Sequence, residues 1–313
     1  MTALVTLGEA MVAVSTTEPG PLLPGRAARL SFAGAEATVA VGVSRLGHPV
    51  AWCGVVGADD AGTMILGGLR AEGVDTTCVR TEDDLPTGLM LRRRRTADRT
   101  LVTYYRKGLA GAQLVPEDLD EDLIAAARVL HVTGITPALG TGPREAVCRA
   151  VATARAAGTT VSLDVNYRSL LWSEEEAATV LRPLVAGADI VFAGLDEARL
   201  FVDAAEPHAA ARALAALGPR QVVIKLGADG ALALVDGEIF VQPAVPVTAM
   251  DPIGAGDAFV AGYLAAHLDG APPSGRLRTG AVCGAFSVSV PGDWEGLPRR
   301  SEGALLTGDD VLR

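Results

Sequence analysis

The chain has 313 residues, enough for one large α/β domain, and 49% of them are hydrophobic, which supplies a sizeable core and argues against disorder. With 27 Lys and Arg against 37 Asp and Glu the net charge is −10, a poor match to general nucleic-acid binding, and an anionic substrate would need local arginines or a metal to offset that field. No apolar run approaches the length of a membrane span, and Cys53, Cys78, Cys148 and Cys283 lack zinc or redox spacing, so they read as buried free thiols of a reducing cytoplasm.

Met1-Thr2-Ala3-Leu4-Val5 has no basic n-region, so no signal peptide is expected. Residues 3 to 14 run apolar as a first core strand with Gly8-Glu9 inside it, and residues 15 to 33, rich in Pro and Gly, read as loop. Gly34-Ala35-Glu36-Ala37-Thr38-Val39-Ala40 opens a helix of small residues that ends near Gly47. Val50 to Val56 reads as a strand, and Gly57-Ala58-Asp59-Asp60 as the capped start of a helix reaching Gly73. Between 87 and 106 two extended runs flank a polar turn, the pattern of a hairpin. Its run Arg92 to Arg95 reads as a solvated face, since strand alternation sends only every second side chain inward. Tyr104-Tyr105-Arg106 reads differently: two of the chain's four tyrosines stand beside a guanidinium, and tyrosine hydroxyls with an arginine fork make a carboxylate receptor.

From residue 117 helix and strand alternate. Helices at 117–127, 143–157, 173–186, 195–203 and 208–217 separate apolar strands at 129–134, 160–163, 189–193 and 221–226. That order implies right-handed crossovers, a mostly parallel sheet covered on both faces, and ligands at the C-terminal ends of its strands. Asp164, Asn166 and Arg168 fall past one such end. Glu197 suits a first-turn helix acid, and Gly227 and Gly230 suit the turn after Lys225. The four histidines have no partner at metal-ligand spacing and read as structural.

The richest stretch is Asp251-Pro252-Ile253-Gly254-Ala255-Gly256-Asp257. An extended apolar run, Val245 to Met250, leads into it, and Phe259, Val260, Tyr263, Leu264 and Leu268 follow at helical spacing until Gly270 and Pro272-Pro273. Glycines let backbone N–H groups approach an anion, a helix N-terminus favours negative charge there, and a carboxylate beside such a hole can accept a proton from an attacking hydroxyl. These are the parts of phosphoryl transfer. Neither common nucleotide loop is present: no Gly-x-x-x-x-Gly-Lys-Ser/Thr occurs, the only lysines being Lys107 and Lys225, and Phe259 stands where a dinucleotide fingerprint needs glycine.

This stretch resembles the C-terminal signature of the ribokinase-like (PfkB) sugar kinases, Asp-Thr/Pro-x-Gly-Ala-Gly-Asp. The resemblance implies Asp257 as catalytic base and Gly254, Ala255 and Gly256 as the anion hole. The run from Gly34 is similar to the family's N-terminal signature, which implies sugar contacts from Gly34, Ala35 and Thr38, with Thr38 replacing the usual Asn. Tyr104-Tyr105-Arg106-Lys107-Gly108 and Asp164-x-Asn166-x-Arg168…Leu171-Trp172 are most like the 2-keto-3-deoxygluconate kinase branch. In that branch Tyr104, Tyr105, Arg106, Arg168 and Asp293 would hold the sugar acid. Asn166, Arg168, Lys225, Gly227, Gly230, Gly254 and Gly256 would serve ATP. Met90 stands where a sugar-contacting Tyr is usual, and Gly194 replaces the Asn of the family's Asn-x-x-Glu, leaving Glu197 to act on Mg²⁺ through water.

The expectation is a single ribokinase-like, three-layer αβα domain over 1–313, with a small β-lid from segments near 10–33 and 87–107 that also joins subunits into homo-oligomers. The expected reaction is ATP- and Mg²⁺-dependent phosphorylation of a sugar acid in the cytoplasm, foremost 2-keto-3-deoxygluconate at its terminal hydroxyl. A kinase of neutral sugars such as fructose or ribose, or a non-catalytic sugar- or nucleotide-binding regulator, are the alternatives.

Overall fold

The structure is a computed structural model that describes residues 2–96 and 99–306. In chain order its elements are β1 (Leu4–Leu7), β2 (Met11–Thr16), β3 (Ala28–Ala33), α1 (Ala35–Arg45), β4 (Val50–Gly57), α2 (Asp60–Ala71), β5 (Val74–Asp75), β6 (Val79–Glu82), β7 (Leu89–Arg94) and β8 (Thr100–Tyr105). There follow α3 (Glu121–Ala126), β9 (Val129–Thr133), α4 (Thr141–Ala157), β10 (Thr160–Asp164), α5 (Glu174–Gly187), β11 (Ile190–Gly194), α6 (Leu195–Ala198) and α7 (Pro207–Ala215). The last are β12 (Gln221–Lys225), β13 (Ala231–Val235), β14 (Glu238–Gln242), α8 (Ala255–Leu268) and α9 (Pro273–Val288).

The large sheet has the order β14-β13-β12-β11-β10-β9-β1-β4-β5, with β6 pairing the far end of β4. From β12 to β5 the pairing is parallel, and β13 and β14 close one edge antiparallel. Strand alternation sorts the core into two layers. In β11, Ile190 and Phe192 point to the layer of α1, α2, α8 and α9, whereas Val191 and Ala193 point to that of α3, α4, α5 and α7. Phe192 meets Tyr263 of α8 edge-to-face at 5.2 Å, and the Tyr263 hydroxyl donates to Gln221 Oε1 at 3.0 Å, so α8 is clamped to the sheet it starts from. α1 lies so close to α8 that a methyl on Gly42 would stand 2.5 Å from Ala261 Cβ. That approach fixes the N-termini of α1 and α8 relative to each other.

A second sheet, β3-β2-β7-β8, stands over the C-terminal strand ends. Its strands lie within the 10–33 and 87–107 segments, and β7 and β8 form the expected hairpin, with Met90 opposite Tyr104. Three sequence expectations need correction here. Residues 3–14 are two strands in two sheets, because the chain leaves the large sheet after Leu7 and turns through Gly8-Glu9-Ala10 into β2. The Pro- and Gly-rich stretch before residue 34 ends in β3, an edge strand exposed at Ala28, Arg29 and Leu30. Val245 to Met250 joins neither sheet; Met250 N and Asp251 N instead donate to Val288 O at 2.7 and 3.1 Å.

Candidate active site

The site collects at the C-terminal ends of β1, β9, β10 and β12, roofed by the small sheet. The turn before α8 is set by Gly254, whose φ of 79° is a left-handed conformation open to glycine. A methyl there would also lie 2.4 Å from the Asp293 carbonyl oxygen, so the backbone of the 292–293 loop packs directly against the turn. Asp251 ties the two together, accepting from Ile253 N at 3.1 Å and Gly292 N at 3.4 Å. Ala255 N donates to Pro252 O at 3.4 Å, and the first turn of α8 thus presents the backbone N–H groups of Gly256 and Asp257 in a cradle of small residues, suited to an anion.

Asp257 lies in that first turn. Burial, helped by the charge of Asp164, raises its pKa to about 7 against the opposing pull of Arg168 and Lys225. Asn166, in a left-handed conformation at φ 39°, donates from Nδ2 to Asp257 Oδ1 at 3.1 Å. Asn166 therefore orients the carboxylate. Beneath it Lys225 Nζ donates to both oxygens of buried Asp164 at 2.7 Å, and a methyl on Gly256 would lie 3.6 Å from that Nζ. The pair sets a fixed cation under the cradle.

Above the cradle opens a cavity of about 890 Å³, lined by Gly34, Ala35, Met90, Tyr104, Arg106, Arg168, Gly254, Asp257 and Asp293 among others. Arg168 stands exposed at its wall, and its guanidinium makes no hydrogen bond or ion pair among the described residues. Arg106 lies against the Tyr104 ring, 5.6 Å from its centroid, and is ion-paired to Glu9. Tyr105 points the other way, 56% exposed, and does not line the cavity. Thr38 is buried inside α1 and its hydroxyl has no hydrogen-bond partner among the described residues.

Glu197 caps α6: its carboxylate accepts from Gly194 N at 2.6 Å and Tyr167 N at 2.9 Å. It braces the loop that carries Arg168 and has no direct opening to the cavity. Among the described residues no cluster of three acids or other ligands could cage a metal. Gly227 and Gly230 bound a turn between β12 and β13, with φ of 59° and 96°.

Three participants escape the sequence reading, and a fourth, Asp164, falls past a strand end in it but gains no role of its own. Arg92, expected on a solvated face, is 5% exposed and lines the cavity, paired to Asp293. Glu9 and Glu36 are buried acids of the cavity floor. Burial raises the Glu9 pKa to about 7 against the Arg106 charge, and Glu36 is likewise raised by burial although the Thr133 and Thr136 hydroxyls donate to it at 2.7 and 2.6 Å. Asp164 is the buried anchor of Lys225. An acid inside an apolar run, as at Glu9 or Glu36, is the one signal that could have flagged two of them.

The pfkB family carbohydrate kinase model matches residues 1–300. The chain belongs to the pfkB family. The 2-dehydro-3-deoxygluconokinase of Bacillus subtilis (strain 168) is 36% identical over 301 residues, covering 95% of this chain and 93% of that protein. The 2-dehydro-3-deoxygalactonokinase of Haloferax volcanii is 35% identical, covering all of this chain and 96% of its own. A solved E.coli chain named for Ribokinase II, in complex with ATP and Mg²⁺, superposes with a TM-score of 0.91 at 25% identity, over 98% of this chain and 99% of its own. The architecture is the three-layer, ribokinase-like α/β fold of that family.

Proposed function

We propose that this pfkB-family chain transfers the γ-phosphoryl group of ATP to the terminal hydroxyl of a small sugar acid, foremost 2-keto-3-deoxygluconate, giving its 6-phosphate. The observation that carries this reading is Asp257, held by Asn166 in the first turn of α8, facing a cavity that also holds Arg106 and Arg168. A pKa near 7 suits a general base at neutral pH. Asp257 accepts the hydroxyl proton as the sugar oxygen attacks phosphorus, and the N–H groups from Gly254 to Asp257 meet the charge gathering on the phosphoryl oxygens. Arg106 and Tyr104 receive the sugar carboxylate, and Arg168 lies between sugar and phosphate. Gly34 and Ala35 line the sugar end. Lys225, Gly227 and Gly230 border the nucleotide end.

The left-handed turn at Gly254, where a side chain would run into the Asp293 backbone, lets the first turn of α8 offer its N–H groups to the cavity, which fits a phosphate. Mg²⁺ keeps several waters and is held through phosphates with one or two carboxylates, so the want of an acidic cage is compatible with it. When bound, it neutralises phosphate charge; Glu197, already engaged by two amides, would reach it only through water.

The whole chain then works as one kinase unit with the small sheet as its lid. Leu30, Leu101 and Tyr105 are exposed on that lid and support its pairing with a second copy. We place the enzyme in the cytoplasm, where ATP is supplied; its four cysteines are unpaired, although only Cys53 and Cys283 are buried as expected, Cys78 being half-buried and Cys148 exposed on α4, and no helix among the described residues is long and apolar enough to cross a membrane.

The test is ADP release with ATP and Mg²⁺ across 2-keto-3-deoxygluconate, its galacto epimer, fructose and ribose. Turnover confined to the sugar acids is expected, and turnover on fructose or ribose alone would overturn the substrate assignment. The ratio of the two epimers decides between the activities named for the Bacillus and Haloferax relatives.

A further inference from the structure

Arg92 lies on lid strand β7, two residues after Met90 and on the same face, so both side chains are turned toward the cavity. Its Nη2 reaches Asp293 Oδ1 at 2.5 Å, across 201 positions of sequence, and its Nε stands 3.2 Å from Met90 Sδ. Both partners are buried, with side chains 6% and 8% exposed. Asp293 sits on the loop whose carbonyl backs onto Gly254, and Asp251 secures that loop to the same turn. Strand β7 and the loop behind the phosphate cradle therefore meet through one buried ion pair, beside the contacts of β3 with the same loop, where Trp294 Nε1 donates to Phe32 O at 3.1 Å and Arg29 Nη1 to Pro291 O at 3.5 Å. A buried pair of this kind adds little net stability but is strongly destabilising when one member is removed, so it acts as a discrete fastening.

We propose that Arg92 is a positioning residue: acting through Asp293, it fastens strand β7 of the lid to the turn that forms the cradle, on the cavity side of the contacts that β3 makes with the same loop, so that the sugar roof and the phosphoryl site are set in register. This rests on the kinase reading for its kinetic consequence but not for the fastening itself. Asp293 has a second oxygen left for a sugar hydroxyl, and Arg92 fixes the direction in which that oxygen points. The thioether of Met90 completes the seat of the guanidinium on the lid side.

A double-mutant cycle tests this with Arg92→Met, Asp293→Asn and the combination. Arg92→Met is expected to lower kcat/KM for the sugar acid by about 10- to 100-fold, the range for losing a charge-assisted hydrogen bond, while KM for ATP stays within about twofold. In the Asp293→Asn background the same change is expected to cost no more than about twofold, since the two residues act as a unit. Arg92→Lys, which keeps the charge, should recover part of the loss. An equal loss in both backgrounds would show that Arg92 acts independently and would overturn the proposal. Hydrogen exchange of the β7 and β8 amides, measured without any substrate, supplies the second readout: it should quicken alike in both single variants and no further in the double. Unchanged exchange refutes the fastening. Faster exchange in a protein that turns over none of the sugars would retain the fastening and reject only the substrate reading.

Discussion

Asp257→Asn is the perturbation that bears most directly on the mechanism. Asparagine keeps the shape and can still accept from Asn166 Nδ2, now 3.1 Å from Asp257 Oδ1, but it cannot take a proton. Loss of a positioned general base lowers kcat by about 10²- to 10⁴-fold, with ATP binding retained. The structure adds a pH signature. The base works ionised and its pKa lies at about 7, so the ionised fraction is about nine-tenths at pH 8 and about one-tenth at pH 6. In the wild type kcat/KM should therefore fall about tenfold between those values. Glu9 also titrates at about 7, so Glu9→Gln is the control, and its acid limb should persist. Stability carries the same information with its own sign. The folded-state pKa is raised above the unfolded value, so the protonated carboxyl is favoured by folding. That contribution is present at low pH and lost as pH rises from about 4 through about 7. Asp257→Asn should thus be more stable than wild type at pH 8, by at most about 4 kcal/mol for a shift of this size, and no more stable at pH 4. The assays are coupled ADP release from pH 5.5 to 9 and urea unfolding at pH 4 and 8. A variant rate within tenfold of wild type, or a flat wild-type profile below pH 8, would refute the assignment.

Gly254→Ala should abolish the cradle: the methyl meets the Asp293 carbonyl at 2.4 Å in a left-handed backbone, so kcat should drop at least about 10²-fold and stability by about 1–3 kcal/mol; a near-normal rate would show that the turn is not the phosphate site. Lys225→Met strands Asp164, which is 1% exposed, and urea unfolding at pH 8 should show a loss of about 3–5 kcal/mol, a loss under 1 kcal/mol contradicting the pairing. Arg106→Ala should lower kcat/KM for 2-keto-3-deoxygluconate by about 10- to 100-fold while leaving any slow fructose turnover little changed; equal losses on both would remove Arg106 from carboxylate recognition.

What could be read from the chain was what its chemistry keeps local. The glycine turn, the acid and the apolar helix of 251–268 occupy consecutive positions, so their juxtaposition needs no folding to be seen. The alternation of helix and strand from 117 onward is equally local, because each strand is short, apolar and bounded by an amphipathic helix. The ion pair of Arg92 with Asp293, and that of Arg106 with Glu9, join residues about 200 and 100 positions apart. Their burial depends on how the lid is set over the body, which no periodicity within β7 reveals. The break at Gly8-Glu9-Ala10 was hidden for a related reason: β1 and β2 are both buried, so the apolar run continues while the sheet changes.

The residues whose roles went unread have a common character. Glu9, Glu36, Arg92 and Asp164 are all ionisable and nearly excluded from water, and each is engaged by a residue from another segment: Arg106, Thr133 with Thr136, Asp293 and Lys225. Isolated, each would be expensive to bury; partnered as they are, they form a shell of ionisable groups behind the groups that meet substrate. That shell bears on chemistry. The Asp164 charge pushes the Asp257 pKa upward while Lys225 and Arg168 restrain it, which leaves the base poised near neutrality rather than fully ionised or fully protonated. A carboxylate in water would be too weak a base to assist a hydroxyl well, and one buried without cations would stay protonated at neutral pH. The balance between those limits is set by burial and by neighbours outside the signature motif, Asp164, Arg168 and Lys225, and so the motif alone, transplanted without them, would supply the geometry of the base but not its basicity.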